Sequence, residues 1–129
     1  MTVARRLSDG LLALGLSDWV HFGQVAWLAA EILPTAPLES RIDEVSSVIA
    51  LLVEEGLSSV GNVTTSGFEN WCVPPDIVSS RIRQRWLALD REPLAGDIAW
   101  LSNTPAGDAI GKKVHDGQNT QLDESGSEL

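Results

Sequence analysis

The stretch "LLVEEGLSSVGNVTTSGFENWCVPP", residues 51 to 75, constrains this chain more than any other. An apolar run ends in Glu54, Glu55 and Gly56. Glycine just past a helical run supplies the left-handed stop that ends a helix. Residues 57–63 and 68–73 follow, rich in β-branched and aromatic types, joined through Thr-Ser-Gly. They read as the two strands of a hairpin. Pro74 and Pro75 close the unit, because proline cannot continue a strand ladder. A helix is therefore expected to feed directly into a hairpin.

The flanks extend this plan. Val3, Leu7, Leu11 and Leu14 fall within about 80° of one another at helical spacing, which predicts a first helix over 3–14. A second helix is expected over 19–33, apolar except for a stripe of His21, Gln24 and Glu31, with Ser17 or Asp18 as its cap. Pro34 and Pro37 force a turn. The third helix is expected over 40–55, capped by Ser40, with Ile42, Val45, Ile49 and Leu52 inward. Asp76 is expected to cap a fourth helix over 77–90 that buries Val78, Ile82, Trp86 and Leu89. "DIAWLSN" reads as a short helical turn capped by Asp97, and "AGDAIGKK" as one further turn. Five tryptophans with no tyrosine are expected to supply much of the core.

Helix, helix, turn, helix, hairpin is the winged helix-turn-helix order. Residues 38–73 resemble the second half of a winged-helix domain, with "IALLVEEGLSSVG" similar to the segment where the third helix runs into the wing. "LLVEEGL", "VGNVTTSGFENW", "RIRQRW" and "DIAWLSNTPAGD" together resemble a set of small acidic bacterial proteins, a resemblance that implies no activity. The expected fold is α+β and winged-helix-like, with four main helices and a two-stranded β-hairpin. The domain is expected over 1–113 and a disordered acidic C-terminal tail over 114–129.

Charge argues against the usual task of that architecture. The formal net charge is -9. The segment 114–129 holds Asp116, Asp123, Glu124 and Glu128 with no base, so residues 1–113 still carry 14 acids against 9 bases. In a winged helix the third helix would enter the major groove and the wing would touch phosphates. Arg41 is the one cation of residues 40–55, against Asp43, Glu44, Glu54 and Glu55, and residues 57–73 hold no Lys or Arg. Asn62, Asn70, Thr64 and Thr65 offer hydrogen bonds, but nothing offsets the phosphate field. A scaffold used for protein contact explains these residues better.

The bases gather instead at Arg81, Arg83, Arg85 and Arg91. They read either as a patch for an acidic partner or nucleic acid, or, preferably, as neutralising the acidic body, with Arg85 pairing a carboxylate. His21 reads as a packed histidine, and two histidines make no metal constellation. Cys72, the single cysteine, reads as strand packing and suits a reducing cytosol. "GDAIGKK" fails as a phosphate loop, since three residues rather than four separate its glycines. "WLSNTPAGD" reads either as a clasp over the core or as a binding loop.

No nucleophile–base pair, cofactor motif or membrane span is visible, and no signal peptide is expected. The expected function is a non-enzymatic, cytoplasmic protein-interaction module without cofactor. It binds a basic protein through Asp43, Glu44, Glu54 and Glu55; immunity proteins share that charge logic. The alternative is a DNA-binding regulator that uses Arg81, Arg83, Arg85 and Arg91.

Overall fold

A computed structural model describes the backbone over residues 1–127 and side chains over residues 1–117. In chain order the elements are α1 (Val3–Leu14), β1 (Val20–His21), α2 (Phe22–Ile32), α3 (Leu38–Glu54), β2 (Ser58–Thr64), β3 (Gly67–Asn70), α4 (Pro75–Leu87), β4 (Trp100–Asn103) and α5 (Pro105–Ser127). Among the described residues the fold is mixed α+β, with five helices and a four-stranded antiparallel sheet in the order β1-β4-β2-β3.

Local chemistry explains most boundaries. Thr2 caps α1, its Oγ1 accepting from the Arg5 N–H at 3.1 Å. Gly56, at φ 72°, ends α3. The Leu57 N–H reaches back to the Leu52 carbonyl at 2.9 Å and the Gly56 N–H to that of Val53 at 3.0 Å. That pair of bonds is the Schellman arrangement, which satisfies the last free carbonyls of a helix. Pro75 opens α4, so Asp76 lies inside its first turn and does not cap it. Likewise α3 begins at Leu38 behind Pro37, two residues before the expected Ser40 cap.

The N-terminus of α2 differs from expectation for a tertiary reason. Val20 and His21 pair with Leu101 and Trp100 of β4, so the helix can begin only after them. His21 then becomes the cap: its Nδ1 accepts from the Gln24 N–H at 3.3 Å, and Gln24 Oε1 accepts from the His21 N–H at 3.0 Å. This reciprocal capping box replaces the expected Ser17 or Asp18.

The segment expected to form a helical turn at 97–103 forms β4 instead. Ile98 at φ 60° redirects the chain, and Leu101 then pairs with Val20 on one side and Val60 on the other, all three buried. A short apolar run of this length does not distinguish helix from strand by itself. The hairpin β2–β3 is therefore half of a larger sheet.

Asn103 and Thr104, at the end of β4, tie three elements together. Asn103 Nδ2 donates to the Leu12 carbonyl at 2.8 Å, and Thr104 Oγ1 donates to the Gly56 carbonyl at 2.7 Å. The helix that follows continues to Ser127, across the expected boundary between residues 113 and 114. Gly107 and Gly111 let it press close: a Cβ at those positions would lie 2.0 Å from the Leu57 carbonyl oxygen and 2.5 Å from that of Leu12. The side chains of 118–129, within the expected acidic tail, lie outside the described residues.

The core forms where α1, α2, α3 and α4 meet the inner face of the sheet. Ile42, Val45, Ile49 and Leu52 are buried as the periodicity predicts, as are Val78 and Ile82. The tryptophans depart from expectation. Trp86 is buried, edge-on to Phe22 at 5.0 Å between ring centroids. Trp27 is 59% exposed and Trp19 39%, while Trp71 and Trp100 are half-buried.

Candidate functional site

The solvent face of α3 collects the predicted acids. Asp43, Glu44, Glu54 and Glu55 are all exposed, together with Ser40, Ser47 and Leu51. Arg41 does not neutralise them. It turns back into the α2–α3 connection, where its Nε donates to the Leu33 carbonyl at 3.1 Å and its Nη2 to that of Pro34 at 3.3 Å. One cation reaches the face from outside: Arg83 Nε lies 2.9 Å from Asp43 Oδ1, with both side chains about half exposed. Among the described residues Glu44, Glu54 and Glu55 form no ion pair.

The hairpin adds no positive charge. Its polar side chains are engaged with one another. Asn62 Oδ1 accepts from the Trp71 indole N–H at 3.2 Å, and the Thr64 hydroxyl donates to Glu69 Oε1 at 3.1 Å. Asn70 Oδ1 takes the Cys72 N–H at 2.8 Å. Of the four hydrogen-bonding residues expected on the wing, three are thus held inside it. The Trp19 and Phe68 rings meet at 6.1 Å beside the turn.

The four predicted arginines do not form an open patch. The Arg81 and Arg85 guanidinium groups both lie over the Trp71 ring, 4.6 and 5.1 Å from its centroid. Arg85 Nη1 also donates to the Ile98 carbonyl at 2.9 Å, so the expected carboxylate partner is replaced by an aromatic face and a backbone oxygen. Guanidinium planarity suits both contacts at once. Arg83 is the partner of Asp43. Arg91 grips Asp97 through two N–H groups, at 2.6 and 3.2 Å. That bidentate bond, aided by the Leu94 N–H at 2.8 Å, holds the Asp97 carboxyl below its ordinary range and raises Arg91 further. The acidic and basic groups read from the sequence thus meet at one point, Arg83 with Asp43.

Cys72 corrects an expectation. The strand ends at Asn70, and Cys72 stands exposed just beyond it at φ 54°, so it packs no strand. His21 caps α2 and stands edge-on to Trp100 at 5.8 Å. Among the described residues no three His, Cys, Asp or Glu side chains come together to hold a metal, and no helix is long and apolar enough to cross a membrane.

Sequence reasoning missed one feature. A cleft of about 430 Å³ opens between α1, α3 and α5, beside the acidic face. Its signal was Leu51, an apolar residue at an outward angle of α3 between Ser47 and Glu55, 47% exposed in the fold. No protein-family model matches the chain, and no curated protein or solved structure matches it either.

Proposed function

We propose that this chain is a non-enzymatic, winged-helix-type module that binds a basic protein partner through the acidic face of α3 and the adjoining hairpin. The order α1, β1, α2, α3, β2, β3 supports the winged-helix assignment, to which β4 is added between β1 and β2. One observation carries the functional reading. The helix that would approach a duplex exposes Glu39, Asp43, Glu44 and Glu54, with Glu55 at its C-cap, and its own arginine is turned into the α2–α3 connection. Such a face raises the encounter rate with a cationic protein and repels phosphate. Of the bases on and just after α4, Arg83 and Arg91 are each paired with a carboxylate, while Arg81 and Arg85 keep their charge and are held over the Trp71 ring. A cytoplasmic setting, where an exposed thiol such as Cys72 stays reduced, belongs to the same reading.

The test compares the wild type with a variant in which Asp43, Glu44, Glu54 and Glu55 become Asn or Gln. Capture from native cell extract should return a basic protein with the wild type and lose it with the variant. A mixed-sequence DNA duplex should show no mobility shift even at low salt. A shift that falls steeply with salt and vanishes on Arg81→Ala and Arg83→Ala would replace this reading with DNA binding.

A further inference from the structure

We infer that the cleft between α1, α3 and α5 is the anchor site for that partner, taking a large apolar side chain from an amphipathic segment rich in Lys and Arg. This rests on the acidic-face reading above and adds the chemistry that fixes the partner in place. Leu12, Val48 and Leu52, all buried, line the cleft, together with Leu51, Leu57 and Ile110. Its volume of about 430 Å³ falls in the range of roughly 300–1,000 Å³ that holds a ligand or an anchoring side chain.

The polar groups around it argue against a small polar ligand. Thr2 Oγ1 accepts the Arg5 N–H at 3.1 Å, Arg5 Nε donates to both Asp9 oxygens at 3.1 and 3.2 Å, and the Ser8 hydroxyl donates to the Arg5 carbonyl at 3.2 Å. These groups are engaged by one another, which leaves Glu55 as the charged group of the lining without an ion pair among the described residues. Among the described residues the buried side-chain polar atom left without a partner is Ser46 Oγ, which does not line the cleft. Recognition here is by apolar fit, and the surrounding charge selects the occupant.

That charge is negative. Val48, Leu51 and Glu55 line the cleft at i, i+3 and i+7 of α3 and its C-cap, and Glu44, one turn before Val48, continues the same stripe outside the lining. Two apolar side chains on that stripe lie between two carboxylates. The one cation lining the cleft, Arg5, is paired with Asp9. An apolar knob flanked by lysine or arginine complements this pattern, and one flanked by acids is repelled. The match is that of an amphipathic helix laid into a groove.

Three synthetic peptides test it. One is helical, with leucines on a single face and lysines elsewhere. The second has the same composition with leucines spread around the helix. The third keeps the first pattern with glutamate for lysine. Affinity is measured by calorimetry and contacts by methyl shifts of Leu51, Leu52 and Leu57. The patterned lysine peptide should bind at least tenfold tighter than either control, move those methyls, and weaken at least fivefold on Leu51→Ala or Ile110→Ala. Circular dichroism melts confirm that both variants fold. Equal binding of the two lysine peptides with unmoved methyls would overturn the cleft while leaving the acidic face standing. No binding by either lysine peptide at low salt would overturn both.

Discussion

The outer faces of α3 and α4 each carry ionised side chains, and their fates are opposite. On and at the end of α3, Glu39, Glu44, Glu54 and Glu55 point into water without an ion pair among the described residues, and Asp43 alone is paired. On and just after α4, each arginine is held by another part of the same chain. Geometry explains the difference. The arginines of α4 stand near Trp71 at the end of the hairpin and near the Ile98 backbone, and long guanidinium side chains reach both. The carboxylates of α3 are short, and Arg41, the one base of their own helix, faces the preceding turn. Charge that a fold leaves unpaired is available to a partner. Charge that it pairs internally serves cohesion.

The largest effect that could break this comparison lies beneath α4. Trp86→Ala should destabilise the domain by roughly 3–5 kcal/mol in chemical denaturation, as loss of a large core aromatic does. A loss below about 1 kcal/mol would mean that α4 is not anchored there and that its arginines are free to do other work. Arg85→Ala should come next, at about 1–2 kcal/mol in thermal melts, from the charge-assisted bond to the Ile98 carbonyl and the contact with Trp71. Arg85→Lys should recover little of that, because an ammonium lacks the planar fork.

Ser46 sharpens the comparison from the other side. Its Oγ is buried on α3 with no partner among the described residues, so Ser46→Ala should stabilise the domain by about 1 kcal/mol. Glu44→Gln, Glu54→Gln and Glu55→Gln should each change stability by less than about 0.5 kcal/mol, since these groups are exposed and form no ion pair among the described residues. Glu54 and Glu55 should fall on the stabilising side, because acids at a helix C-terminus oppose its dipole. A loss of 2 kcal/mol or more from any of the three would show that the acids have internal partners after all.

The smallest effect is a pH dependence at Asp97. Its folded carboxyl titrates below the ordinary range, through the Arg91 bond first and the Leu94 N–H second. The unfolded chain therefore binds the proton more readily. The stabilisation is fully present above the ordinary carboxylate value and is lost as pH falls through the depressed one. A carboxyl carbon titration by NMR should show a midpoint below that of a free aspartate, and Arg91→Ala should restore the ordinary value.

Elements of a single period were legible in the sequence. The helices α1, α3 and α4 follow from i, i+3, i+4 apolar spacing, and the inward residues of α3 are those the spacing names. Gly56 marks its own helix end because few other residues adopt that backbone. The hairpin follows from its composition and its closing prolines. The acidic residues of α3 were legible as a set, and helical geometry alone put them outward.

Contacts between distant segments were not legible. Nothing near Trp100 says that it will lie across from His21, and the choice of strand over helical turn for β4 is made by Val20 and Val60, far away in sequence. The same long-range pairing moved the α2 cap to His21. The arginines could be counted, but Trp71 and the Ile98 carbonyl as their partners could not be read.

The sequence by itself determined the periodic elements, the turn at Gly56 and the sign of the charge on α3, because each depends on residues within a few positions of one another. Only the tertiary structure decided the fourth strand, the engagement of the α4 arginines and the cleft beside Leu51. Each of those requires surfaces from separate elements to meet, and side-chain reach across that gap is a property of the packed chain.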